Sequence, residues 1–128
     1  MNQPQFTQLA EETIGLAFKE AEEKKNSEIT GWHLLLGLLK TNGPTREFLG
    51  AVNEADVLDK IDELPKIDAN NDQIRPSQQF QLVLRSAMVE SQKRGDSYVS
   101  QEMLLWGLLE SGEKELKELF DINEIKNK

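Results

Sequence analysis

The sequence predicts an all-α fold in which two four-helix repeats, related by a pseudo-twofold axis, form one compact helical domain. Three observations carry this. The run Trp32-His33-Leu34-Leu35-Leu36-Gly37-Leu38-Leu39-Lys40 returns seventy positions later as Glu102-Met103-Leu104-Leu105-Trp106-Gly107-Leu108-Leu109-Glu110, with the apolar residues and the glycine in register. The same offset extends without a gap over almost the whole chain: Thr7, Gln8, Ala17, Glu20, Ser27, Leu49 and Asn53 face Ser77, Gln78, Ala87, Glu90, Ser97, Leu119 and Asn123. Outside the two runs, apolar residues recur at helical spacing behind capping residues. Two copies of a unit this long suit a closed pair better than an open array, whose units are shorter and more numerous.

The elements follow in order. Thr7 stands at an N-cap, and Ala10, Ile14, Ala17 and Ala21 mark the inward stripe of a helix over 8–25. Asn26-Ser27-Glu28 makes a turn, Ile29 anchors it, and Thr30 caps the next helix, which ends between 40 and 43 ahead of Pro44. That helix is too apolar to own a polar face and far too short to span a membrane, so it is the central helix of its unit. Gly37 and Gly107 each cost a helix about 1 kcal/mol relative to alanine, and their shared position predicts a close helix crossing. A short helix over 47–52 and another over 54–64, with Val57, Leu58, Ile61 and Leu64 on one side, complete the first repeat.

Residues 64–76 hold two prolines and a polar centre, which predicts the inter-repeat connection and the most mobile ordered segment. The chain thus divides into repeat one (5–64), a linker (65–76) and repeat two (77–128). Ser77 caps a helix with Phe80, Leu84, Ala87, Met88 and Ser91 inward, and Gly95 closes it at C′. Ser100 caps the second central helix, and short helices follow over 114–120 and from 123 onward. The counterpart of 54–64 starts at Glu124 and by register runs past Lys128, so the last helix reads as cut short. The chain is accordingly expected to be the front piece of a longer protein.

With 128 residues, 38% hydrophobic and 30% charged, the chain is long enough for one domain and one core. A net charge of −8 and the absence of a basic stripe exclude nucleic acid and anionic membrane as expected partners. There is no cysteine, hence no disulfide, thiol catalysis or thiolate metal site. Residues 1–6 lack the basic start and apolar core of a secretory signal, which makes the cytoplasm the expected compartment. The charge further predicts a preference for basic, apolar peptides over acidic ones.

Phe6-Thr7, Thr30-Gly31-Trp32-His33-Leu34-Leu35, Glu63-Leu64-Pro65-Lys66, Ile74-Arg75-Pro76-Ser77 and Lys93-Arg94-Gly95-Asp96-Ser97-Tyr98-Val99-Ser100, in this order and spacing, resemble the Clp amino-terminal double-repeat domain found at the front of Clp-type AAA+ unfoldases. Among its subfamilies the chain looks most like ClpB. The resemblance implies a monomeric module, tethered to a hexameric ATPase ring in cis, that captures hydrophobic segments of unfolded or aggregated polypeptides. The alternative within the family is an adaptor-docking or free-standing protein that binds a folded partner of a Clp protease complex. No Gly-x-x-x-x-Gly-Lys-Ser/Thr phosphate loop occurs, so neither ATP hydrolysis nor a cofactor is expected of this chain. An independent hydrolase or metal enzyme finds no support.

The resemblance points to Thr7, Asp96 and Glu102 as functional positions lying near one another. Each also has a structural explanation: a cap, a turn residue, and an anion in the first turn of a helix. The residues themselves give a second lead. Leu82 and Val89 lie seven apart, off the inward stripe, where repeat one has Glu12 and Lys19; Leu9 and Leu16 form a comparable pair on the first helix. Such residues either line a peptide groove between the repeats or form the seam that joins them. Trp32, following Gly31 at a helix start, is expected to be partly exposed and available for contact. His33, the only histidine, is expected to be a hydrogen-bonded core residue rather than a metal ligand. Relatives that read phosphoarginine carry an acidic residue just after the cap of each repeat; Trp32 fills that place here and argues against this ligand.

Overall fold

The computed structural model describes residues 5–50, 52–66 and 74–119. These form six α-helices: α1 (Gln8–Glu23), α2 (Gly31–Lys40), α3 (Glu54–Asp62), α4 (Gln78–Lys93), α5 (Gln101–Ser111) and α6 (Lys114–Glu118), with a 3-10 helix, Pro44–Leu49, between α2 and α3. The pairs α1/α4 and α2/α5 obey the seventy-residue offset, and the all-α expectation holds. The four caps act as expected. Thr7 Oγ1 and Ser77 Oγ accept from the amides of Ala10 and Phe80 at 3.1 and 3.0 Å, and Thr30 and Ser100 cap α2 and α5.

α1 packs on α2 and α4 on α5, and the glycines set how closely. A Cβ on Gly37 would stand 2.5 Å from the Thr13 carbonyl oxygen, and one on Gly107 would collide with the Val83 carbonyl oxygen. Backbone therefore meets backbone at both crossings, as the shared glycine predicts. Leu34, Leu35, Leu36, Leu38, Leu104 and Leu108 are fully buried at the centre.

Four two-residue strands were not foreseen: β1 (Gln5–Phe6), β2 (Glu28–Ile29), β3 (Arg75–Pro76) and β4 (Tyr98–Val99). β1 pairs in parallel with β4, and β2 with β3. The segment before the first helix of each repeat thus joins the segment before the second helix of the other, and the two pairings map onto one another by the seventy-residue offset. Equivalent bonds close them: Thr7 N–H to the Val99 carbonyl at 3.0 Å and Ser77 N–H to the Ile29 carbonyl at 2.9 Å. Two-residue strands carry no periodicity, so pattern reading misses them. A buried polar link adds to this clasp, with Gln101 Nε2 donating to Thr13 Oγ1 (3.0 Å) and Gln101 Oε1 accepting from Thr45 (2.8 Å).

Other boundaries differ slightly. α1, α3 and α6 stop about two residues early, where helix ends fray into turns, and the helix expected over 47–52 is the 3-10 segment Pro44–Leu49. The connection is not loose at its ends: Lys66 bridges to Asn26, and Arg75–Pro76 pairs as β3. Its centre, residues 67–73, and the expected helix from 123 lie outside the described residues. The turns after α1 and α4 share one left-handed residue, Gly95 at φ 76° and Lys25 at φ 57°, a conformation that glycine adopts without steric cost.

His33 is fully buried and hydrogen-bonded at both ring nitrogens. Its Nδ1 accepts from the Thr30 amide (2.9 Å), so its Nε2 carries the proton and donates to Asn26 Oδ1 (2.8 Å). The neutral ring completes a capping box on α2. Burial drives its pKa down to about 4, against a smaller opposing pull from Glu20.

Candidate binding groove on the second repeat

α4 turns Phe80, Val83, Ala87 and Ser91 into the core, leaving its outer face to Leu82, Arg85, Val89 and Lys93. Leu82 and Val89 are 42% and 43% exposed, too open to be the seam that was the alternative for them. α5 contributes a parallel stripe, because Glu102, Trp106 and Glu110 recur every four residues along one side. Close approach at Gly107 brings that stripe beside α4. The result is an open groove of about 280 Å³, with Leu82, Val89 and Trp106 as its apolar lining and Arg85, Lys93, Glu90 and Glu110 at its rim.

The groove therefore lies between the two long helices of repeat two, and not between the repeats. The Trp106 ring has the Arg94 guanidinium 5.8 Å from its centre, and Arg94 Nε donates to Glu90 Oε2 at 2.9 Å, which fixes one wall. Among the described residues of repeat one the equivalent face carries no apolar lining. The positions equivalent to Leu82, Val89 and Trp106 are exposed Glu12, exposed Lys19 and buried Leu36.

Asp96 follows the C-terminal end of α4, Glu102 opens α5 and Thr7 caps α1. The Thr7 amide is bonded to Val99, which stands between the other two along the chain. Asp96 and Glu102 are both exposed, and their carboxylates form no hydrogen bond or ion pair with another described residue. The contrast with repeat one is instructive: Asn26, the counterpart of Asp96, is buried and bonded to His33, whereas the counterpart of His33 is Met103, which offers no such bond. Thr7 is held by its cap.

Leu9 and Leu16 are half-buried on α1 and do not line the groove. Leu9 lies against Gly43, where a Cβ would stand 2.6 Å from Leu9 Cδ2. Trp32 is only 5% exposed and not the half-open residue its place suggested. It faces a second cleft, of about 360 Å³, formed with Asp56, Asp59 and Lys60 of α3 and Glu115, Glu118 and Leu119 at α6. Beside it, Glu113 Oε2 accepts from the Gly31 amide (3.2 Å), and burial raises the Glu113 pKa. Trp106 is the groove residue that sequence reading left unassigned; its spacing of four from Glu102 was the available signal. Among the described residues no group of acidic or histidine side chains is placed to hold a metal ion, and no helix is long and apolar enough to cross a membrane.

Residues 5–122 match the Clp repeat (R) N-terminal domain family. The chain is 28% identical over 132 aligned positions to the chaperone protein ClpB of Bdellovibrio bacteriovorus, covering 94% of this chain but only 15% of that protein. Among solved structures, the Hsp104 N-terminal domain from Candida albicans superposes with a TM-score of 0.75 at 29% identity, covering 90% of this chain and 79% of that one. The N-terminal domain of the caseinolytic protease associated chaperone ClpD from Arabidopsis thaliana superposes with a TM-score of 0.70 at 23% identity, covering 90% and 84%.

Proposed function

The chain belongs to the Clp repeat N-terminal domain family, and from that membership and the α4–α5 groove we propose that it is the substrate-capturing front module of a ClpB-like protein disaggregase. In this reading it binds hydrophobic segments of unfolded or aggregated polypeptides in the cytoplasm and hands them to a hexameric ATPase ring carried further along the same protein. It performs no chemistry itself. The observation that carries the proposal is the exposed pair Leu82 and Val89 beside half-buried Trp106, placed where repeat one has Glu12, Lys19 and a buried leucine. A soluble domain keeps such residues exposed at the same face when something apolar docks there. Mixed charges at the rim, Arg85 and Lys93 against Glu90 and Glu110, tolerate many sequences, which suits a receptor for varied clients. Asp96 and Glu102 extend the contact surface at the end nearest Thr7.

The test is affinity for a permanently unfolded client, such as reduced and carboxymethylated α-lactalbumin, measured by fluorescence anisotropy. Replacing the exposed pair, Leu82→Ser with Val89→Ser, is expected to weaken binding about tenfold or more while helicity is unchanged. Unchanged affinity in that variant would remove the groove from the account. A wild-type chain that ignores the unfolded client at millimolar concentration and binds only folded proteins would favour the adaptor-docking alternative.

A further inference from the structure

The second cleft does lie between the repeats, and its chemistry differs from that of the groove. Trp32 and Leu119 give it an apolar base, while Asp56, Asp59, Glu115 and Glu118 supply four carboxylates against one cation, Lys60. That cation is already committed, since its Nζ bridges α3 to α6 through Glu115 Oε2. Asp56, Asp59 and Glu118 form no ion pair with another described residue. The charge left over is therefore negative, and it surrounds an apolar surface.

We propose that this inter-repeat cleft is a second docking site, one that takes a basic, apolar peptide segment of a protein partner. A metal ion is the poorer match, because the carboxylates are spread along two helices and among the described residues no three acidic groups gather as ligands. A lysine- or arginine-bearing segment spans such a distance, sets its aliphatic stems against Trp32 and Leu119, and presents its charged ends to the rim. The preference for basic, apolar peptides that the net charge of −8 suggests is thus located here and not in the α4–α5 groove, whose rim carries both signs. The site is independent of the groove and does not rest on the function proposed for it.

The experiment uses the 128-residue chain carrying Trp106→Phe, which leaves Trp32 as the sole tryptophan reporter. The probes are two nonapeptides, Lys-Leu-Ala repeated three times and its Glu-Leu-Ala counterpart. The lysine peptide is expected to change Trp32 fluorescence saturably and the glutamate peptide to leave it unchanged. The triple variant Asp56→Asn, Asp59→Asn, Glu118→Gln is expected to weaken the lysine peptide about tenfold, and Leu82→Ser to leave it unaltered. Equal binding of both peptides, no response to the lysine peptide, or full affinity in the triple variant would overturn the proposal. Should the triple variant lose its helical signal, the wild-type titration in rising salt decides: falling affinity supports the site, and constant affinity contradicts it.

Discussion

Alanine at Gly37 or Gly107 is expected to destabilise the fold, whereas alanine at Gly15 stabilises it. All three glycines lie within helices, so propensity alone favours each substitution by about 1 kcal/mol. What differs is the space. A Cβ on Gly15 meets nothing within 4 Å, but at Gly37 and Gly107 it meets the carbonyl oxygens of Thr13 and Val83. Those are backbone atoms inside α1 and α4, which cannot swing aside as a side chain can. The helices must separate, and overpacking of this kind costs about 1–3 kcal/mol. Each single variant should therefore lose up to about 2 kcal/mol net, and the pair about twice that, since the two crossings belong to different helix pairs and add. Urea midpoints read the sign directly. A Gly37→Ala variant as stable as Gly15→Ala would show that the crossing is looser than the structure has it.

The second large effect is acid sensitivity centred on His33. The unfolded chain takes up a proton on its histidine near pH 6.5; the fold refuses it until about pH 4, because the ring is buried and its Nδ1 accepts from the Thr30 amide. The stabilisation is thus complete above about pH 6.5 and is lost as the pH falls towards 4, at up to about 1.4 kcal/mol per unit. By pH 4.5 the loss is on the order of 2–3 kcal/mol. Glu113 works in the opposite direction: burial raises its pKa, so its protonation favours the fold on acidification. The contribution of His33 is therefore read as a difference from His33→Gln, which keeps a residue able to close the capping box but has no proton to gain. The wild type should lose on the order of 2–3 kcal/mol more than the variant between pH 7.5 and 4.5. Parallel stability curves would mean that His33 is solvated or already paired differently.

Much of the fold is legible in the sequence, for a definable reason. Duplication makes each reading count twice: the caps at Thr7 and Ser77, the caps at Thr30 and Ser100, and the glycines at 37 and 107 support one another across the offset. What escaped was information that local pattern does not hold. The reciprocal strands are two residues long and exist because the repeats meet. The exposure of Leu82 and Val89 was undecidable from α4 alone, since an apolar pair off the main stripe fits a seam as well as a groove. Trp32 follows a glycine at a helix start, a place that suggests exposure, yet α3 and α6 close over it from opposite repeats. Leu9 and Leu16 looked like a second version of the Leu82–Val89 pair, but they sit half-buried on α1 and do not line the groove.

The central claim is that the α4–α5 face is where an unfolded client docks. It is tested most directly by a two-dimensional amide NMR titration of the isotope-labelled chain with reduced and carboxymethylated α-lactalbumin. The account predicts shifts at Leu82, Val89 and the Trp106 indole, spreading to Asp96 and Glu102, with the equivalent face at Glu12 and Lys19 silent. Shifts confined to the α1 face or to the Trp32 cleft, or no shifts at millimolar client, would contradict it.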